Sequence, residues 1–116
     1  MDLEVHRHES GTLEFKLQGD LTASSASQWK TAVAEEMEKV PPRSVLFNFM
    51  SLEFLDSSGI STLVGFQRKF KRTPCPFVIL YESQNLEDIF VMTKLNKLLP
   101  LEKNYDAALE RLKAQV

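Results

Sequence analysis

The sequence predicts an α/β domain built on a mixed, mostly parallel sheet of four to five strands, with an N-terminal antiparallel strand and about four flanking helices. Three observations carry that prediction. Ser44–Met50 and Phe77–Tyr81 are almost wholly apolar at both parities, which suits strands covered on two faces. Segments with apolar residues at spacings of three and four alternate with them, as βα units require. The first two apolar segments instead alternate polar with apolar on either side of a glycine turn, the pattern of a hairpin.

In that hairpin Leu3 and Val5 alternate with Glu4, His6 and His8, an edge-strand pattern. Glu9-Ser-Gly-Thr12 supplies the turn, with Gly11 at its centre, and Leu13, Phe15 and Leu17 resume the alternation. Gly19-Asp-Leu-Thr22 then leads into a first helix. Ser25 followed by Gln28 matches the capping-box spacing, with Thr22 and Ser24 as rival caps. Ala26, Trp29, Val33 and Met37 form its apolar stripe, and Pro41-Pro42 ends it because neither ring nitrogen can donate.

Ser44–Met50 is the expected central strand, followed by a short acidic connection through Leu52, Phe54 and Leu55. A second helix is expected from Ser57 to Lys71, with Ile60, Leu63, Val64, Gln67 and Phe70 on one face and Phe66 on its flank. Arg68, Lys69, Lys71 and Arg72 crowd its C-terminal end, where cations complement the dipole. Thr73-Pro-Cys-Pro76 breaks that helix, and Phe77–Tyr81 is the next buried strand. Ser83 caps a third helix with Leu86, Ile89, Phe90 and Thr93 inward. A short strand near Lys97–Leu101 follows. Asn104 then caps a terminal helix whose stripe is Tyr105, Ala108, Leu109, Leu112 and Val116.

A length of 116 residues suits a single domain over 1–116, and a hydrophobic content of 43% provides a core without metals or disulfides. The net charge of −2 gives no electrostatic case for nucleic acid or an anionic membrane as partner. The N-terminus lacks the basic region of a signal peptide, and no apolar run approaches the ~20 residues that span a bilayer, so a cytoplasmic location is expected. The lone Cys75 cannot form an internal disulfide.

Enzyme chemistry finds little support. Ser57 and Ser58 stand beside Asp56, but Phe54-Leu-Asp-Ser-Ser-Gly59 is not a Gly-x-Ser-x-Gly elbow, and the two histidines are distant in sequence. No enzymatic activity is expected. His6 and His8 share one strand face, yet a zinc site needs three or four ligands, so neither metal nor cofactor is expected. What remains is Asp56-Ser57-Ser58-Gly59. Asp56 or Ser57 suits a helix cap, and Gly59 suits close backbone approach. A helix start also offers unpaired N–H donors and a positive dipole end, which accept a phosphate and its charge of about −2.

These residues carry a resemblance. Leu52-Glu-Phe-Leu-Asp-Ser-Ser-Gly-Ile60 resembles the signature of bacterial anti-sigma factor antagonists, single-domain members of the STAS class. Gly19-Asp-Leu-Thr-Ala23 and Leu86–Leu95 are similar to two further segments of that family, so the likeness spans nearly the whole chain. It implies the STAS fold and a phosphorylatable serine, the second of the pair, which is Ser58. It implies a partner surface of Thr22, Phe54, Asp56, Ser57, Ser58, Gly59, Ser61 and Thr62. The implied partners are a serine-protein kinase of the histidine-kinase-like ATPase type, which doubles as the anti-sigma factor, and a serine phosphatase. The unphosphorylated antagonist would occupy the kinase and release its regulator, and phosphorylation would end the complex. The rival reading is a STAS scaffold or sensory module that is never phosphorylated and binds a nucleotide, lipid or protein. Two departures stand out: Thr22 replaces a frequent Asp, and Lys94 replaces a Gly.

Overall fold

In the computed structural model, residues 1–72 and 74–115 are described. The elements run β1 Asp2–Arg7, β2 Thr12–Leu21, α1 Ala23–Lys39, β3 Ser44–Leu55, α2 Ser57–Arg72, β4 Phe77–Tyr81, α3 Gln84–Met92, a 3-10 turn Leu95–Lys97, β5 Leu101–Glu102 and α4 Tyr105–Gln115. The expected helix break at Thr73 and the stripe position Val116 lie outside the described residues.

The five strands lie in the order β1-β2-β3-β4-β5. β1 is antiparallel to β2, while β2, β3, β4 and β5 pair in parallel. This is the mixed, mostly parallel sheet expected, with its antiparallel strand at the N-terminus.

Strand alternation sorts the core into two layers. Leu13, Phe15 and Leu17, Val45, Phe47 and Phe49, and Phe77, Ile79 and Tyr81 share one face with Trp29 of α1, Leu63, Phe66 and Phe70 of α2, and Leu86 and Phe90 of α3. Leu46, Val78 and Leu80 point the other way and meet Ala108 and Leu112 of α4. β3 and β4 are therefore apolar at both parities because three helices cover one face and one covers the other. Phe47 sits among Phe15, Trp29, Phe66, Phe70 and Phe77, with ring centroids 5.0–6.2 Å apart.

Several boundaries differ from the sequence expectation, each for a local reason. α1 begins one residue after Thr22, and its cap pair is Thr22 with Ser25 rather than Ser25 with Gln28: Ser25 Oγ accepts from the Thr22 amide at 2.8 Å. Phe66 is central to the buried face of α2, not flanking, because that face runs Gly59, Leu63, Phe66, Phe70. Thr93 is exposed as the C-terminal cap of α3. β5 begins after Pro100 rather than at Lys97, since the preceding residues close a 3-10 turn. Pro100 has no N–H to donate, but its carbonyl accepts from Ile79 N at 2.9 Å and starts the pairing.

The polar parity of β2 is the larger surprise. Glu14 is only 7% exposed, because α4 covers that side of the sheet. Its carboxylate accepts from His8 Nε2 at 2.7 Å, Tyr105 Oη at 2.8 Å and Asn48 Nδ2 at 2.9 Å. Burial opposes ionisation of Glu14, but the bonds from Asn48, Tyr105 and His8 together outweigh it and hold the carboxyl below its usual range. His8 is thus a half-buried partner of Glu14, not a solvent-facing edge residue.

Candidate functional site

The Asp56-Ser57-Ser58-Gly59 segment lies where β3 passes directly into α2. β3 runs on to Leu55, so residues 51–55 are strand rather than the expected connecting loop. The cause is pairing with β2: Leu52 lies opposite Gly19, Phe54 opposite Asp20 and Leu55 opposite Leu21, across two irregularities in register. As a result Leu52 and Leu55 are buried in the core, and only Phe54, 44% exposed, offers apolar surface beside the turn. Of the three apolar residues in this segment, one ring is left at the surface.

Of the two candidate caps, Asp56 is the one used. Its Oδ1 accepts from the amides of Ser58 at 2.9 Å and Gly59 at 3.1 Å, satisfying two of the helix's first donors. Its own amide donates to Leu21 O at 3.1 Å, tying the start of α2 to the end of β2. Thr22, the cap of α1, follows Leu21 directly, so the two helices begin side by side. Gly59 is buried in that junction. A Cβ there would lie 3.1 Å from both Leu21 O and Leu55 Cβ, tighter than side chains ordinarily pack. Glycine is favoured here by the close approach of β2, not by its dihedral angles.

The predicted site residues therefore divide by role. Ser57 and Ser61 are exposed, while Thr22, Asp56, Ser58 and Thr62 are half-buried. Thr62 Oγ1 donates to Ser58 O at 2.9 Å, so its hydroxyl serves the helix. Gly59 shapes the turn from beneath and presents no side chain. Ser58, in the first turn of α2, makes no side-chain hydrogen bond to another described residue. Chemically this is a capped helix N-terminus bearing a half-buried serine, with no side chain among the described residues hydrogen-bonded to its hydroxyl. Among the described residues no three His, Cys, Asp or Glu side chains group to hold a metal ion. No described helix is long and apolar enough to cross a membrane.

The family model of the STAS domain matches residues 3–108. This chain belongs to the STAS domain family. Among its relatives, the anti-sigma F factor antagonist of Paenibacillus polymyxa is 21% identical over 113 residues, covering 97% of each chain. Among solved structures, an anti-sigma factor antagonist from Mycobacterium paratuberculosis superposes with a TM-score of 0.85 at 20% identity, covering 97% of this chain and 93% of that one. The Bacillus cell fate determinant SpoIIAA, in its phosphorylated form, gives a TM-score of 0.71 at 19% identity, covering 96% of this chain and 99% of that one. This STAS domain thus has the fold its sequence motif implied.

Of the two departures from the family pattern, Thr22 keeps a cap at α1 without a carboxylate. Lys94 occupies a left-handed conformation, φ 61°, which explains why glycine suits this position. The polar cluster around Glu14 escaped the sequence reading. Its only sequence signal is Asn48 interrupting an otherwise apolar central strand.

Proposed function

We propose that this STAS domain is an anti-sigma factor antagonist in a partner-switching pathway. Its unphosphorylated form binds a serine-protein kinase that doubles as the anti-sigma factor, and frees the regulator which that kinase holds. Phosphorylation of Ser58 then ends the complex, and a serine phosphatase resets it. The domain acts by binding rather than by catalysis.

The observation that carries this reading is the state of Ser58: a half-buried residue whose hydroxyl has no side-chain hydrogen bond among the described residues, in the first turn of a helix capped by Asp56. A phosphate there lies at the positive end of the α2 dipole, which favours negative charge, so the free fold tolerates it. Against a partner, the same dianion next to the Asp56 carboxylate is desolvated and repelled. Exposed Phe54 supplies an apolar anchor beside the switch. The kinship with anti-sigma factor antagonists supports the same role.

The test is phosphotransfer. A serine-protein kinase of the histidine-kinase-like ATPase type from the same genome, incubated with the chain and ATP, is expected to place one phosphate on Ser58 by mass spectrometry. Ser58→Ala is expected to bind the kinase and resist release, and Ser58→Asp to bind at least ten-fold more weakly. Equal affinity of the two variants would overturn the switch. A phosphate on Ser57 alone would move its position.

A further inference from the structure

At the opposite end of β3 from Ser58, a cavity of about 350 Å³ opens between the β1–β2 turn, the start of β3 and α4. Its walls are His8, Ser10, Thr12, Arg43, Ser44 and Lys113, and its floor is Leu109 and Leu112. Thr12, Ser44 and Leu112 are buried, whereas Ser10, Arg43 and Lys113 stand exposed at the mouth. That volume falls within the range of ordinary small-molecule sites, roughly 300–1,000 Å³.

Three features give the cavity a chemical preference. The first is a count of protons. Ser10 Oγ donates to Thr12 Oγ1 at 3.2 Å, and Thr12 Oγ1 lies 2.8 Å from Ser44 Oγ. Three hydroxyl protons serve two bonds. With Ser10 donating to Thr12, the Thr12–Ser44 bond uses one of the two remaining protons, whichever of the pair donates, so one proton of this buried pair, 6% and 2% exposed, has no acceptor among the described residues. A buried donor left in that state calls for an acceptor.

The second is charge. Arg43 makes no ion pair among the described residues, and Lys113 has only a 3.9 Å approach to the exposed Glu110. No carboxylate lines the cavity, and Glu14, next to His8, is already engaged by three donors. Gly11 directs the arginine: at φ 96° it carries no Cβ, and the Arg43 stem fills that space, its Cγ lying 2.8 Å from where a Cβ would stand. The Arg43 amide also donates to Gly11 O at 2.9 Å. The third is the floor, two leucines that reward an apolar body.

We propose that this cavity binds a small monocarboxylate with an apolar chain, the carboxylate taken by Arg43, Lys113 and the spare proton of the Thr12–Ser44 pair and the chain laid on Leu109 and Leu112. A guanidinium matches a planar carboxylate in two bonds. An apolar floor gives nothing to an inorganic anion.

Titration of the ¹⁵N-labelled chain with octanoate, followed by amide chemical shifts, tests the proposal. Saturable shifts are expected at Gly11, Thr12, Ser44 and Leu112, with Ser58 and Gly59 unmoved. Arg43→Gln and Lys113→Gln, both at exposed positions and expected to keep the amide spectrum of the fold, should each weaken binding several-fold, and together at least ten-fold. 1-Octanol and inorganic phosphate should each bind at least ten-fold more weakly than octanoate. Shifts that do not saturate or spread over the whole surface would overturn the proposal. So would equal binding by the folded double variant, or octanol or phosphate binding as tightly as octanoate.

Discussion

Replacing Glu14 with glutamine tests whether a buried carboxylate pins α4 to the sheet. The native carboxylate accepts three bonds, from His8 and Tyr105 on one oxygen and Asn48 on the other. Asn48 cannot reverse its amide, because its Oδ1 already accepts from Met50 N at 3.0 Å. The glutamine carbonyl must therefore face Asn48, leaving its NH₂ toward His8 and Tyr105. Tyr105 must then rotate to accept, and His8 must present an unprotonated nitrogen. Each bond to a charged acceptor is worth about 1.5–3 kcal/mol and each neutral one about 0.5–1.5. The summed loss is about 2 kcal/mol after partial rearrangement. With an unfolding entropy of about 2.1 cal/mol/K per residue over 116 residues, Tm should fall by about 8 °C at pH 7. The pH dependence follows from the direction of the shift. The folded carboxyl titrates below its ordinary value of 4.5, so its contribution is complete above that pH and is lost as pH falls through the folded value. Wild type and Glu14→Gln should therefore converge in acid. Calorimetry at pH 7 and at steps below pH 5 measures both effects. A Tm within 2 °C of wild type at pH 7, or a gap that stays constant into acid, would refute the reasoning.

Other expected outcomes concern the switch end and the remaining strained or titrating groups. Asp56→Ala removes a cap with two bonds and should cost about 1 kcal/mol in urea unfolding, while Asp56→Asn should recover most of it. Lys94→Gly relieves a left-handed lysine and should raise stability by about 1 kcal/mol, whereas Lys94→Ala should not; thermal melts distinguish them. Phe54→Ser should leave stability within about 0.5 kcal/mol of wild type, yet weaken binding of the proposed kinase partner about ten-fold by calorimetry. Burial, then the bond to Glu14, pushes the Tyr105 hydroxyl up from 10.0 to about 12. Its contribution is thus present below pH 10 and lost as pH rises toward 12, and Tyr105→Phe should flatten that alkaline decline.

Element type was legible wherever periodicity was strong. Phe77–Tyr81 fixes a two-sided strand, Trp29 and Val33 mark the inner stripe of α1, and Ser83 and Asn104 serve as the caps their side chains suggested. Boundaries were less legible where pairing outran pattern. Leu52 and Leu55 were placed in a short connection between β3 and α2, but the partner β2 extends alongside, continues the strand and buries them. The site motif was readable because a cap needs one polar residue and three stand in a row. Which residue caps was not, since Asp56 and Ser57 have equal claims until the chain direction out of β3 is known. Glu14 was invisible for a simpler reason. Nothing local to a Leu-Glu-Phe alternation announces that a helix 91 residues later will cover its polar side.

The sequential strand order has a bearing on what kind of ligand the Ser58 end admits. In open parallel sheets a small molecule usually settles outside the carboxyl ends of two strands whose connections leave in opposite directions, because the diverging loops open a crevice there. Here the crossovers from β2 to β3 to β4 to β5 march one way, and α1, α2 and α3 all lie over one face. No such divergence arises among these strands, and the turns at Thr22, Asp56 and Ser83 form a row. Both the 350 Å³ cavity and a shallower 660 Å³ hollow beside Pro76 and Pro100 open instead where parallel strands begin. Neither lies at the edge bearing Ser58, where the strands end in this row of turns. On the proposed function, such a row of turns suits a partner surface of comparable breadth, across which a single phosphate on Ser58 would be felt.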